Sequence, residues 1–341
     1  MNSEKVFTVV NLKEALKTVP RESILSSKWV FVKKEKPKRY KERLVARRFR
    51  QIQGINFEET FAPTPTFNAL RLLFLTTTLM KWEVKTFDFK VAFLHSFINK
   101  PVYMWPPQGL SIPKNHLVKL EKALCETKQA TRFWGMHLKQ ILLEIGFVTN
   151  KEDPRTYSFE NKEGKALLWI HVDDGALTTS SNTLMTHLIS KLDAKLKIKW
   201  DQEITKIVVL TIEKRANGYK FHQKELIKKL TLPNPRNITA LSPLPHDCKL
   251  ESNKATQMDK EYLRRIGILL YIAQGSRPDI SYAVNYLAIF LMCATTTHWN
   301  ALEHPIAYLR KTEDLGILIL SDNTENKLTC YVDANWGGEG N

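Results

Sequence analysis

The chain has 341 residues, with 51 Lys and Arg against 35 Asp and Glu, which gives a formal charge of +16 at pH 7. This length allows one large or two ordinary domains with a buried core, and the cationic excess favours a polyanionic partner such as nucleic acid. The four cysteines lack Cys-x-x-Cys spacing, and no apolar stretch reaches transmembrane length. A disulfide or zinc scaffold and a membrane-spanning protein are therefore excluded, and we expect an intracellular protein.

The first predicted elements alternate between strands and helices, which is typical of an α+β architecture. In chain order they are two strands over 28–45 joined by a basic loop at Pro37, a helix over 68–80, a strand ending near Asp88 with a helix after it, and a long helix over 123–147 that ends near Gly146. A hairpin over 166–179 and a helix over 184–196 follow.

The later elements include a second hairpin over 207–221, where Asn217-Gly218 predicts a type I′ turn. Residues 231–260 are rich in Pro, Asn, Ser and Lys and are the best linker candidate. Two helices over 262–290, broken at 275–279, precede a helical segment over 298–309. We expect Pro305 to interrupt that segment, because a proline in a helix interior costs about 3 kcal/mol.

Paired acids carry the strongest chemical signal. The sequence His171-Val172-Asp173-Asp174 lies between strand-forming runs, which predicts a β-hairpin with two carboxylates at its tip. Asp is common in turns, so a solvated turn is the alternative. A third acid, Asp88, ends an alternating run and could join the pair. Three convergent carboxylates suit the two-metal chemistry of phosphoryl transfer.

A series of short motifs resembles the reverse transcriptase of copia-type LTR retrotransposons, from about Ser27 to the C-terminus. The matching segments occur in the order of that family: Lys28-Trp29-Val30-Phe31, Tyr40 to Arg47, Gly54 to Pro63, Phe87 to Leu94, Val102-Tyr103-Met104, Lys128-Gln129-Ala130, His171 to Asp174, Ser276 to Ile280, His298 to Leu302 and Tyr331 to Ala334.

The resemblance implies a right-hand polymerase fold, with fingers, palm and thumb and an antiparallel palm sheet packed on helices. A connection segment and a truncated ribonuclease H start would follow. The implied domains are a lead-in at 1–26, fingers and palm at 27–230, a linker at 231–260, thumb or connection helices at 261–327, and the first ribonuclease H strand at 328–341. Of the carboxylates that form a ribonuclease H site, only Asp333 is expected in this sequence. We therefore expect no degradation of RNA.

The resemblance also implies the site. Asp88, Asp173 and Asp174 would be catalytic and, with the Phe89 carbonyl, would hold two Mg²⁺ ions, for which Mn²⁺ could substitute. The residues expected to meet the nucleotide are Lys41, Arg43, Phe93, Lys128 and Gln129, with Phe93 excluding a ribose 2′-hydroxyl. The alternatives are surface charges for Lys41 and Arg43 and an ordinary core residue for Phe93. The partners would be a primed RNA or DNA template and deoxynucleoside triphosphates. The location would be cytoplasmic, in a virus-like particle, or nuclear.

Several positions depart from the family pattern. His171 replaces a usual Tyr, and Arg48, Glu126 and Thr211 replace usual glycines. The carboxylate of Glu126 would repel phosphates near the nucleotide. Two functions therefore stand. The first is an RNA-directed DNA polymerase that extends a primer 3′-hydroxyl. The second is an inactive, degenerate remnant that at most binds nucleic acid. The sequence does not set the oligomeric state.

Overall fold

The computed structural model describes residues 6–35, 38–231, 238, 240–252 and 258–321. The strands in these ranges are β1 (Phe7–Asn11), β2 (Ser27–Glu35), β3 (Lys38–Ala46), β4 (Glu83–Phe89), β5 (Tyr103–Met104), β6 (His116–Leu120), β7 (Val148–Thr149), β8 (Thr156–Asn161), β9 (Gly164–His171), β10 (Asp174–Thr179), β11 (Ile198–Trp200), β12 (Lys206–Ile207), β13 (Leu210–Arg215), β14 (Gly218–His222) and β15 (Ile317–Leu320). The helices are α1 (Leu12–Ala15), α2 (Phe67–Leu79), α3 (Ala130–Ile145), α4 (Asn182–Lys195), α5 (Lys224–Lys228), α6 (Lys260–Gly275), α7 (Ser281–Ala288) and α8 (Thr296–Lys311).

The N-terminal part holds two small antiparallel sheets. β2 and β3 form a hairpin of two nine-residue strands, with Val30 opposite Arg43. β1, β6 and β5 form a three-stranded sheet in that order. The base of the hairpin packs against this sheet, because Leu44 and Ala46 share a hydrophobic cluster with Met104.

A six-stranded sheet in the order β11-β4-β10-β9-β8-β7 forms the centre of the fold. Its pairs are antiparallel. The sequence favours two-sided burial here, since β10 has apolar or small residues at nearly every position. Helices α3 and α4 cover one face of the sheet with side chains such as Leu138 and Leu188. Helix α2 covers the other face through Leu70 and Phe74.

The C-terminal part consists of a four-stranded sheet and a group of helices. The sheet has the order β12-β13-β14-β15, so the last described strand returns to pair with β14. Ile319 of β15 belongs to the same hydrophobic cluster as Phe74 of α2. Helices α6, α7 and α8 pack together around Leu269, Leu287 and Leu302.

Most predicted elements are confirmed, and the chain has the mixed helix and antiparallel-sheet composition that was expected. The two hairpins, the helices over 68–80 and 184–196 and the two helices around Pro278 are all present. The type I′ turn predicted at Asn217-Gly218 is wrong, because Arg215 lies opposite Gly218 and the loop residues Ala216 and Asn217 lack a positive φ. The turn residue Pro37 and the segment 328–341 lie outside the described residues. No described helix is long and apolar enough to cross a lipid bilayer.

Three helix predictions are wrong. The helix predicted over 123–147 begins only at Ala130, because Glu126 has a φ of +69°, which no α-helix accepts. The segment after β4 is a 3₁₀ turn at Ala92–His95 instead of a helix. Pro305 does not interrupt its segment, since α8 runs through it and the ring is buried. The helix simply lacks the one hydrogen bond that a proline cannot donate.

Candidate active site

The β9–β10 hairpin presents the paired acids as the sequence predicted. His171 lies opposite Asp174, so Val172 and Asp173 form a two-residue loop. Val172 has a φ of +57°, which is strained for a β-branched residue. The indole Nε1 of Trp134 donates a hydrogen bond to the Val172 carbonyl at 2.7 Å. This hydrogen bond from helix α3 therefore helps to hold the loop in its strained conformation.

The third acid lies on the neighbouring strand. Asp88 of β4 is directly opposite Asp174 of β10. Opposed residues of an antiparallel pair project from the same face of the sheet, so the two carboxylates share one face. The backbone N–H of Phe89 donates to the Asp173 carbonyl at 2.8 Å, which fixes the hairpin tip beside the end of β4. The structure thus brings Asp88, Asp173 and Asp174 to one end of the central sheet.

The electrostatics of Asp174 show that these acids affect one another. Burial, followed by the Asp173 and Asp88 carboxylates, raises the pKa of Asp174 from 3.8 to about 6. Asp201 adds to the rise, and a backbone hydrogen bond at Val208 opposes it. A carboxyl group so placed is stabilised by a proton or by a cation.

The chemistry of these donors fits a hard divalent cation, which takes oxygen ligands. The described part of the chain nevertheless contains no group of three His, Cys, Asp or Glu side chains arranged to hold one ion. The three carboxylates therefore lie at the same end of the sheet, without a closed shell of ligands around a single ion.

Arg43 on the β2–β3 hairpin reaches the same region. Burial raises the pKa of the Cys125 thiol, the Arg43 charge lowers it, and the Glu126 and Asp173 carboxylates raise it further. The charges of Arg43 and Asp173 therefore both act on the Cys125 thiol. The backbone N–H of Ala46, at the end of β3, donates to the Cys125 carbonyl at 3.3 Å. Lys41 lies on β3 opposite Val32, and its side chain is outside the described residues.

The remaining predicted nucleotide contacts occupy different environments. Phe93 is in the 3₁₀ turn after β4, half-buried against the core under the central sheet. The Gln129 side chain is 1% exposed. Its Oε1 accepts from Gln51 at 2.9 Å, and its Nε2 donates to the Asn56 carbonyl at 3.1 Å. Gln129 therefore ties the start of α3 to the segment that follows β3.

His171 stacks on Trp169, with ring centroids 5.9 Å apart and planes 19° from parallel. Burial lowers the pKa of His171 below its usual value of 6.5, so the ring is neutral at pH 7. The flat ring at this position therefore packs on its own strand, directly across from Asp174.

The departures from glycine differ in their structural effect. Arg48 begins a 3₁₀ turn, and Thr211 is on β13. Neither has a positive φ, whereas Glu126 does, at +69°. Position 126 is thus the one of the three where the backbone itself favours glycine.

Sequence reasoning missed three contributors to the site. Trp134 donates a hydrogen bond to the hairpin loop. Asp201 helps to raise the pKa of Asp174. The pKa of Cys125 is affected by the charge of Asp173. No local pattern could identify Trp134, because its contact with Val172 joins positions far apart in the chain.

Comparison with known proteins places the chain in a family. The profile of the reverse transcriptase (RNA-dependent DNA polymerase) family matches residues 4–240. More than half of the chain is matched, so the chain belongs to the reverse transcriptase family.

Three of the similar proteins are Pol polyproteins of copia-type plant transposons, as the resemblance predicted. The Pol polyproteins from transposons RE2 and RE1 of Arabidopsis thaliana are 30% and 32% identical over 94% and 93% of this chain, and 22% of each is covered. That from transposon TNT 1-94 of Nicotiana tabacum is 29% identical over 92% of this chain and 25% of its own length. The chain thus spans about a quarter or less of these relatives.

A solved structure of a foamy viral protease–reverse transcriptase in complex with double-stranded DNA also aligns. It has 13% sequence identity and a TM-score of 0.43 over 88% of this chain and 48% of that chain.

Proposed function

We propose that this chain is an RNA-directed DNA polymerase that extends the 3′-hydroxyl of a primer on an RNA or DNA template with deoxynucleotides. The observation that carries the proposal is the meeting of Asp88, Asp173 and Asp174 at one end of an antiparallel sheet, with the pKa of Asp174 raised to about 6. Membership of the reverse transcriptase family supports it.

In this proposal the central six-stranded sheet with α2, α3 and α4 is the palm, and the β2–β3 hairpin belongs to the fingers. Helices α6 to α8 are the thumb or connection, after a linker at 231–260. The parts of the chain before and after this linker are in contact, since β15 pairs with β14. A ribonuclease H start at 328–341 stays a prediction.

Asp88, Asp173 and Asp174 would hold two Mg²⁺ ions, or Mn²⁺ in their place, with the Phe89 carbonyl as a further ligand. When bound, such ions acidify the primer hydroxyl and neutralise the phosphates of the leaving group. Arg43 would neutralise the incoming triphosphate; its charge and that of Asp173 both act on the Cys125 thiol, which supports this role. Phe93 would exclude a ribose 2′-hydroxyl. We place the protein in the cytoplasm, within a particle of the parent element, or in the nucleus.

Primer extension on a homopolymeric template tests the proposal. Asp88→Asn and Asp173→Asn should each abolish Mg²⁺-dependent extension, because an amide does not neutralise metal charge. Asp193→Asn is the matched control, since this acid lies on α4 and bonds to Trp200 at 3.0 Å. Extension that persists in either site variant would contradict the assignment.

An inactive remnant is the second candidate, and one observation favours it. Glu126 combines a strained backbone with a carboxylate that acts on Cys125 beside Asp173. If wild-type protein binds a primed template but does not extend it with Mg²⁺ or Mn²⁺, this second function stands.

A further inference from the structure

An open cavity of about 540 Å³ lies where the segment after β3 meets the start of α3. Its lining residues are Arg48, Phe57, Thr60, Ala62, Lys128 and Thr131. Two cations and two hydroxyl groups thus line the cavity, and no carboxylate does.

Lys128 is held in place by protein atoms. Its Nζ donates to the Gln51 carbonyl at 3.2 Å and lies 4.5 Å from the centre of the Phe57 ring. Its backbone N–H donates to Gln51 Oε1 at 2.8 Å. An ammonium group has three donors. Among the described residues, the Gln51 carbonyl is the one hydrogen-bond acceptor of the Lys128 ammonium group. The cation is oriented and retains donors for a ligand.

The two acids between Phe57 and Thr60 are paired with cations outside the cavity lining. Glu58 pairs with Lys100 at 2.8 Å, and Glu59 pairs with Arg132. Arg48 is exposed and forms no ion pair with any described residue. No carboxylate is among the residues that line the cavity, so the lining itself carries a net positive charge.

The start of α3 adds to this potential. Gln129 is the N-cap residue, but its side chain makes no cap hydrogen bond because it is used by Gln51 and Asn56. The first turn contains no acid. The positive end of the helix dipole thus lies at the Thr131 wall of the cavity, where it favours an anion.

We propose that this cavity binds a phosphate group between Arg48 and Lys128. The oxygens of a phosphate group can accept from the two cations and the two hydroxyl groups of the lining. The start of α3, which has no side-chain cap, also favours an anion. The phosphate could belong to a nucleic-acid strand or to a nucleoside triphosphate, and this part of the inference rests on the proposed function.

Binding without metal tests the site apart from catalysis. Fluorescence anisotropy of a labelled single-stranded oligonucleotide should show at least about a tenfold loss of affinity in Arg48→Glu, with the salt slope reduced by about one. Arg50→Glu is the matched control. Arg50 is exposed in the same 3₁₀ turn and does not line the cavity, so its affinity should fall less than about threefold.

A second arm uses inorganic triphosphate as a competitor. If Arg48→Glu weakens oligonucleotide binding alone, the site takes a strand phosphate; if it weakens triphosphate binding alone, the site takes a nucleotide. Lys128→Gln should weaken binding of the same ligand as Arg48→Glu does. If Arg48→Glu lowers thermal stability, the Lys128→Gln variant is used in its place to identify the ligand. Equal behaviour of the Arg48 and Arg50 variants with both ligands would overturn the proposal. Since no synthesis is required, an inactive chain would still give these results.

Discussion

Position 126 offers a clean separation of backbone strain from charge. Glu126 has a φ of +69°, a conformation that costs an L-residue about 1–2 kcal/mol and costs glycine almost nothing. Glycine loses about 0.5–1 kcal/mol through the greater freedom of its unfolded chain. Glu126→Gly should therefore stabilise the fold by about 0.5–1 kcal/mol.

Glu126→Gln is the matched variant, because it removes the charge and keeps the strain. We expect no stabilisation from it, and the difference between the two variants should appear in urea unfolding. Amide hydrogen exchange should place the gain in the Leu124–Gln129 turn and the start of α3. The strain argument fails if Glu126→Gln and Glu126→Gly unfold at the same urea concentration.

The same pair of variants tests the effect of charge on nucleotide use. Repulsion between a carboxylate and a triphosphate a few ångströms away amounts to about 1–4 kcal/mol, with the lower end expected for an exposed side chain. Both variants should then lower the KM for deoxynucleotides, by up to about tenfold. Repairing His171→Tyr should help less, because His171 already stacks on Trp169. An unchanged KM in both variants at position 126, with recovery in His171→Tyr, would reverse this ranking.

Three further predictions concern the hairpin and its acids. The pKa of Asp174 is raised to about 6, so the folded chain binds this proton more tightly than the unfolded chain. Without metal, the free energy of unfolding should therefore fall as pH rises from about 4 through 6, and the fall should be absent in Asp174→Asn. Mg²⁺ should raise Tm more at pH 8 than at pH 5. Trp134→Phe removes the donor to the Val172 carbonyl and should cost about 1 kcal/mol in urea unfolding, whereas an unaltered midpoint would deny that bond its role. Gly175→Ala would bring a Cβ within 2.2 Å of the Phe87 ring and should cost about 1–3 kcal/mol, and wild-type thermal stability would show that the ring moves aside freely.

The sequence predicted the acid hairpin well because its signal is local. Strand-forming residues flank a short polar turn, and the register follows once His171 and Asp174 are opposed. The antiparallel pairing of Asp88 with Asp174 could be expected only through resemblance, because no rule of local sequence pairs strands separated by α3 and five other strands.

The start of α3 could not be predicted from apolar spacing. Residues 123–129 contain no proline or glycine, and their composition permits a helix. The buried hydrogen bonds of Gln51 and Gln129 instead hold this segment as a turn, with Glu126 in the left-handed region. Contacts with a distant segment overrode local preference, which is also why the Lys128 cavity has no signature in the sequence.

The return of β15 to β14 has a consequence for how the chain is made. Phe221 pairs with Ile317, a contact between residues roughly a hundred positions apart, and such long closures slow folding. During synthesis the edge of β14 stays open until nearly all of this region has left the ribosome. A chain terminated before Ile317 would keep that edge exposed and should be prone to intermolecular strand pairing. Premature stop codons, which would leave all three acids in place, would thus yield aggregates instead of a smaller working domain.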